Sequence, residues 1–142
     1  MAKIFLVEDE FIISAVMQDK LERMGHTVCG TASTGEKAIK QVEETRPDVV
    51  LMDITLKGDM DGIEAARRIR EHLDIPVIYL TAYDDKDTRE RARATNPVAY
   101  LVKLLEDRDL RSSIERAVNQ HTRSHNEASD TPNTTNGVTP SR

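Results

Sequence analysis

Asp48-Val49-Val50-Leu51-Met52-Asp53 combines an apolar run with an acidic residue at its end. A near-continuous apolar run is typical of a strand that is covered on both faces. The runs Ile4-Phe5-Leu6-Val7 and Val77 to Leu80 have the same character. Strands of this kind predict a parallel sheet with helices packed on both sides.

Helical patterns separate five predicted strands along the chain. The strands are predicted at residues 4–7, 27–32, 48–53, 77–80 and 98–102. Ser33 and Glu36 form a capping-box pair that predicts the start of the second helix. Asp84 or Asp85 is predicted to cap the fourth helix. The alternation of strand and helix predicts an α/β fold with right-handed crossovers.

Composition divides the chain into a predicted domain of residues 1–120 and a polar tail of residues 121–142. A chain of 142 residues has the size of one domain. The tail is rich in Ser, Thr, Asn and Pro and has little to bury, so we expect it to be disordered.

Charge and apolar patterning exclude several classes of protein. The net charge is -5 and the basic residues are interspersed with acidic ones, which disfavours direct nucleic-acid binding. The single cysteine, Cys29, cannot form an intrachain disulfide. No stretch approaches the length of a membrane span, and the amino terminus lacks the pattern of a signal peptide. We therefore expect a cytoplasmic protein that does not contact a membrane.

Reactive side chains fall at the carboxyl ends of four predicted strands. They are Glu8 and Asp9 after the first, Asp53 at the third, Thr81 at the fourth and Lys103 at the fifth. Ligands of open α/β sheets bind at these ends. The sequence therefore predicts one crevice that holds three carboxylates, a hydroxyl and an ammonium.

Clustered carboxylates of this kind predict a site for Mg²⁺ (or Mn²⁺), because one lysine cannot neutralise three anions. Mg²⁺ prefers oxygen ligands and usually takes one or two carboxylates. We expect Asp9 and Asp53 to bind it directly, Glu8 to bind it directly or through water, and the backbone carbonyl of Thr55 to add an oxygen.

Phosphoryl transfer to Asp53 is the chemistry that this arrangement favours. A carboxylate can act as a nucleophile toward phosphorus. Lys103 and the Thr81 hydroxyl would share the charge of the transferring oxygens. Ala82 leaves room for the group.

Four motifs resemble those of the response-regulator receiver domain of two-component signalling. They are Val7-Glu8-Asp9-Glu10, Val50-Leu51-Met52-Asp53, Leu80-Thr81-Ala82 and Tyr100-Leu101-Val102-Lys103, and the resemblance spans about residues 2–120. It implies a flavodoxin-like, doubly wound sheet of five strands in the order 2-1-3-4-5, with five helices. It also implies a phosphoryl donor, which is a sensor histidine kinase or a phosphotransfer protein.

The resemblance further implies a switch. Thr81 moves toward the phosphoryl group, Tyr100 turns inward behind it, and the face made by the fourth helix, fifth strand and fifth helix is reshaped. Such a domain is not an enzyme beyond its own phosphorylation and dephosphorylation. It passes the signal through protein contacts, and a phosphorylation-dependent homodimer through that face is compatible with the family.

Two departures from the family pattern stand out. Leu104 follows Lys103 where the family usually has proline, so we predict a trans bond between them. The segment 54–61 lacks the common proline and is one residue longer than usual. Thr55 within it resembles a family position that tunes dephosphorylation.

Other classes of protein remain open from the residues alone. A haloacid-dehalogenase-type phosphohydrolase would need an aspartate where Thr55 stands. A flavin-binding module would need a Ser/Thr/Gly-rich loop after the first strand, where Glu8-Asp9-Glu10 would repel a phosphate. A degenerate receiver that serves only as a docking surface is the third alternative.

Overall fold

The structure is a computed structural model that describes residues 2–82, 84–103 and 107–129, with side chains described as far as residue 120. The strands are β1 (Lys3–Val7), β2 (Thr27–Ala32), β3 (Val49–Asp53), β4 (Val77–Thr81) and β5 (Ala99–Val102). The helices are α1 (Phe11–Arg23), α2 (Gly35–Thr45), α3 (Gly62–His72), α4 (Lys86–Arg93) and α5 (Asp107–Ser129).

The strands form one parallel sheet in the order β2-β1-β3-β4-β5. The predicted order is confirmed. In the register of β1 with β3, Val7 is the partner of Met52, and in that of β3 with β4, Asp53 is the partner of Leu80. This register places the residues after Val7 beside the end of β3.

The core consists of two layers, one on each face of the sheet. Successive residues of a strand point to opposite faces, so Phe5 and Val7 pack with α2, α3 and α4, whereas Ile4 and Leu6 pack with α1 and α5. β3 and β4 are buried at every residue. The apolar runs of the sequence are explained by this burial on both sides.

Helix ends are fixed by local contacts, and one of them differs from the prediction. α1 ends at Arg23, and Gly25 follows its C-cap Met24 with a φ of 94° that glycine adopts easily, while His26 N donates to Leu21 O at 3.1 Å. The predicted capping box of Ser33 and Glu36 is wrong, since Thr34 caps α2 and accepts from Lys37 N at 3.2 Å. Both hydroxyl residues suit an N-cap, and only the path of the chain after β2 selects between them.

Asp85 caps α4 by accepting from Thr88 N at 2.9 Å, so it is Asp85 of the two predicted candidates that has this role.

α5 continues to Ser129. The structure differs from the expected disorder over residues 121–129, whose backbone is helical, and the domain boundary at residue 120 stays a prediction. The prediction of disorder for residues 130–142 lies outside the described residues.

None of the helices, as far as the structure describes them, combines the length and apolar character that a membrane crossing requires.

Candidate functional site at the carboxyl edge of the sheet

The ends of β1 and β3 bring three predicted carboxylates together. One ligand oxygen each of Glu8, Asp9 and Asp53 lies within 4.8 Å of the others. Glu8 and Asp53 are buried, with exposed fractions of 6% and 3%, and Asp9 is half-buried. Buried carboxylates are rare unless they are paired or bind a cation, so this cluster requires positive charge beside it.

Lys103 completes the cluster from the end of β5. Its Nζ lies 2.9 Å from Glu8 Oε1 and 3.3 Å from Asp53 Oδ2. Its backbone N–H donates to Thr81 O at 2.6 Å, which continues the pairing of β4 and β5 past their ends. The backbone hydrogen bond fixes the position of Lys103, and its ammonium lies between the carboxylates of Glu8 and Asp53. The predicted trans bond to Leu104 lies outside the described residues.

Backbone N–H groups orient two of the carboxylates. Glu10 N donates to Glu8 Oε2 at 3.1 Å, and Thr55 N donates to Asp53 Oδ1 at 3.2 Å. These are short-range contacts in which the side chain turns toward the backbone two residues on. They leave each side chain fixed in direction, as a preorganised site requires.

The electrostatics of Asp53 show that the cluster lacks positive charge. Burial, as the largest cause, and the negative charge of Glu8 together raise the pKa of Asp53 from 3.8 to about 7, against the opposing effect of Lys103. Burial of Lys103 disfavours its charged form, yet its hydrogen bond to Glu8 and the charge of Asp53 raise its pKa overall. The single positive charge of Lys103 is therefore not enough to neutralise the carboxylates of both Glu8 and Asp53.

The donor set fits a hard divalent cation. All the grouped ligand atoms are carboxylate oxygens. Mg²⁺ and Mn²⁺ prefer oxygen ligands, whereas softer metals prefer thiolate ligands. Thr55 is placed by its N–H contact with Asp53, directly beside the cluster. Its carbonyl as a fourth protein ligand stays a prediction.

Thr81 and Tyr100 lie on strands β4 and β5, and Ala82 follows Thr81. Thr81 is buried and is the last residue of β4, next to Leu80, the partner of Asp53. Ala82 follows it and is exposed. Tyr100 is half-buried in β5. Thr81 and Ala82 thus lie at the carboxyl edge, whereas Tyr100 lies two residues before the end of β5, where it pairs with Tyr79. The switching roles of Thr81 and Tyr100 stay predictions.

Arg89 is a neighbour of Tyr100 that the sequence analysis missed. Its guanidinium carbon lies 4.9 Å from the centre of the Tyr100 ring, in the geometry of a cation–π contact. Arg89 also donates to Asp84 Oδ1 through Nε at 3.0 Å and through Nη2. No sequence signal reveals the stacking, because α4 and β5 meet only in the folded chain.

Gly62 fixes the segment that follows Asp53. A Cβ on Gly62 would lie 2.0 Å from Asp53 O, which is far inside van der Waals contact. Gly62 N donates to Ile54 O at 2.7 Å. The first residue of α3 therefore packs directly on the peptide between Asp53 and Ile54, and only glycine permits this approach.

The fold and the site together define an open α/β domain with an acidic, lysine-bearing carboxyl edge. Residues 4–115 match the family described as the response regulator receiver domain. The chain belongs to this family, the receiver domain of two-component systems.

Curated relatives share the domain. The transcriptional regulatory protein PdtaR of Mycobacterium tuberculosis is 36% identical over 118 residues, which cover 83% of this chain and 57% of the relative. The regulator PhoP of Bacillus subtilis, described as an alkaline phosphatase synthesis transcriptional regulatory protein, is 33% identical over 114 residues, which cover 80% and 47%. The chain spans about half the length of these relatives.

Solved structures agree on the fold. The signal receiver domain of a modulated diguanylate cyclase from Desulfovibrio desulfuricans G20 superposes with a TM-score of 0.82 and 34% identity, covering 87% of this chain and 98% of that one. The N-terminal domain of a response regulator/sensory box/GGDEF protein from Carboxydothermus hydrogenoformans has a TM-score of 0.77 and 32% identity, with 86% and 98% covered.

Proposed function

We propose that this chain is a phosphoacceptor switch that receives a phosphoryl group on Asp53 in a Mg²⁺-dependent reaction. The observation that carries the proposal is the setting of Asp53. Its carboxylate is 3% exposed, lies 3.3 Å from Lys103 Nζ, and shares a 4.8 Å cluster with Glu8 and Asp9. Membership in the receiver family supports the same reading.

The proposed donor is the phosphohistidine of a sensor histidine kinase or of a phosphotransfer protein. A carboxylate oxygen of Asp53 attacks the phosphorus, and the O–P bond forms as the N–P bond breaks. The imidazole nitrogen keeps the electron pair and can take up a proton. The product is an aspartyl phosphate, a known type of covalent intermediate.

Each residue of the cluster has a proposed role in this step. Glu8, Asp9, Asp53 and the carbonyl of Thr55 would hold the cation, which supplies positive charge to the transferring phosphoryl oxygens. Lys103 would keep one ammonium hydrogen bond for the phosphoryl group while it remains paired with Glu8. Thr81 would donate its hydroxyl to a phosphoryl oxygen, and Ala82 would leave space for that group.

The proposed output is a change of protein contacts. Movement of Thr81 and inward rotation of Tyr100 would release the ring from Arg89 and reshape the face of α4, β5 and α5. A cytoplasmic location, where kinase and receiver domains meet, is part of the proposal. A phosphorylation-dependent homodimer through that face is one form that the output could take.

Intact mass spectrometry after incubation with acetyl phosphate tests the proposal. The wild type should gain one labile phosphoryl group in Mg²⁺ and none in EDTA, and Asp53→Ala should gain none. Asp48→Ala is the matched control, because Asp48 precedes the same strand at its opposite end and binds Lys3 N at 2.8 Å. Equal labelling of Asp53→Ala and wild type would move the reaction to another residue and refute the assignment.

A further inference from the structure

Asp61 makes two contacts that point in different directions. Its Oδ1 accepts from Glu64 N at 2.9 Å and so caps α3. Its Oδ2 lies 2.9 Å from Nη1 of Arg91, which belongs to α4. One carboxylate therefore fixes the start of α3 and joins it to a helix from a separate part of the chain.

The start of α3 is rigidly connected to the proposed phosphoacceptor. Gly62, the residue after Asp61, packs on the Asp53 carbonyl, and its N–H binds Ile54 O at 2.7 Å. On the far side, Ile54 N donates to Leu80 O at 3.2 Å. The peptide after Asp53 is thus held between α3 and β4. A displacement of Asp61 would therefore also displace Asp53.

Besides the contact with Asp61, the described side chains of α4 are anchored by the buried Ala92 and by the stacking of Arg89 on Tyr100. Of residues 86–93, all of which are described, Ala92 is the buried one. The remaining side chains of α4 are polar or charged apart from this alanine. A helix with so little buried apolar surface lies at the low-stability end of a structure, and one ion pair to a neighbouring element is then a sizeable part of what positions it.

We propose that the Arg91–Asp61 ion pair is a positioning device that couples α4 to cation binding at Asp53. The pair holds the α3 start, the α3 start holds the Asp53–Thr55 segment, and that segment carries two of the proposed ligands. The inference rests on the proposed function. By linkage, a cation at Asp53 stabilises α4 by the same factor as α4 favours the cation.

The expected size of the effect is modest and depends on salt. The side chains of Arg91 and Asp61 are 54% and 33% exposed, so solvent screens their attraction. We expect loss of the pair to weaken Mg²⁺ binding about threefold at low ionic strength, and less at 0.5 M salt. A purely steric role of either side chain would not produce this salt dependence.

Two substitutions separate the ion pair from the cap. Asp61→Asn keeps an oxygen that can cap α3, since asparagine caps as well as aspartate, and removes the charge. Arg91→Gln removes the other partner. The readout is the Mg²⁺ dissociation constant from amide shifts of the ¹⁵N-labelled protein titrated with MgCl₂, with thermal unfolding measured alongside.

The two variants distinguish positioning from long-range charge. If only net charge acted, Asp61→Asn would weaken Mg²⁺ binding and Arg91→Gln would strengthen it. If the ion pair positions α3, both substitutions weaken Mg²⁺ binding. The double variant then binds Mg²⁺ no more weakly than either single variant. Asp19→Asn and Arg23→Gln are matched controls, because they break an exposed pair of 3.0 Å within α1. They should bind as wild type does.

Hydrogen exchange tests the reverse direction. Saturating Mg²⁺ should slow exchange of the α4 amides in wild type, and this slowing should be smaller in Arg91→Gln. Unchanged Mg²⁺ affinity in both variants, opposite signs, or additive effects would each overturn the inference. If wild type itself binds no Mg²⁺, the proposed function fails as well. If wild type binds Mg²⁺ and the variants match it, only the coupling fails.

Discussion

The Nζ of Lys103 lies 2.9 Å from Oε1 of Glu8, which joins the end of β5 to the end of β1 across the sheet. Lys103 is 19% exposed and the Glu8 side chain 2%. In a protein without bound cation, this lysine is the positive charge that the structure places against Glu8 and Asp53. The site is therefore expected to respond strongly to loss of that charge, to pH and to added metal.

Lys103→Met should destabilise the metal-free protein. Breaking a buried ion pair costs about 3–5 kcal/mol, and we expect about 2 kcal/mol here because Asp53 can take up a proton in compensation. Urea unfolding in EDTA measures the loss, and Mg²⁺ should recover part of it. Lys20→Met is the control, since Lys20 pairs with an exposed Asp107 at 3.0 Å and should cost no more than about 1 kcal/mol. An equal decrease in the free energy of unfolding for both variants would show that the buried pair stabilises the protein no more than the exposed one.

Stability of the metal-free protein should fall as pH rises toward neutrality through the contribution of Asp53. Its pKa is raised to about 7 in the folded state from 3.8, so the folded protein holds a proton that the unfolded chain has released. Between these values folding is favoured by lower pH. The pKa of His26 is lowered, first by burial, and acts in the opposite direction. The comparison with Asp53→Asn in EDTA isolates the Asp53 contribution, and parallel pH profiles of the two proteins would contradict it.

Mg²⁺ binding should tighten as pH rises from 6 to 8. The cation requires an ionised Asp53, whose pKa of about 7 means that a proton must leave first. The affinity should rise by up to about tenfold per pH unit below that pKa and level off above it. Calorimetry in buffers of different ionisation enthalpy would detect the released proton. An affinity independent of pH would show that the carboxylate is already ionised.

Gly62→Ala should disturb both the fold and the site. The added Cβ would lie 2.0 Å from a backbone oxygen that cannot move away without displacing Asp53. We expect a loss of at least about 3 kcal/mol, at the upper end of overpacking costs, together with weaker Mg²⁺ binding. Gly35→Ala is the matched control, because its Cβ would meet the flexible Met60 side chain at 2.5 Å, which can shift. A Gly62→Ala protein as stable as the control would refute the close packing on Asp53.

Thr34→Ala should destabilise the protein by about 1 kcal/mol, the usual cost of a lost N-cap. Ser33→Ala should cost much less, because the Lys37 N–H binds Thr34 Oγ1. Thermal unfolding of the two variants compares them directly. The reverse ranking would restore the capping box that the sequence pattern indicated.

The fold and most of the site residues could be predicted because they depend on local patterns. Apolar runs define strands, and parallel strands share one carboxyl edge, so the sequence predicts that Asp9 and Asp53 lie close together. The helix start at Thr34 could not be predicted, since Ser33 and Thr34 carry the same chemistry. The extent of α5 is not predicted by the sequence, since residues 121–129 lack the regularly spaced apolar residues of the first part of the helix.

Residue patterns are sufficient to predict the alternation of strand and helix and the acids at the sheet edge, and the family resemblance adds the strand order. Only the tertiary structure decided that Lys103 binds Glu8 more closely than Asp53, that Gly62 packs on the Asp53 carbonyl, and that Arg91 reaches Asp61. The physical reason is that periodicity and propensity act over a few residues. Contacts between distant segments depend instead on how the helices pack on the sheet, because small changes in helix position decide which charged side chains come within contact distance.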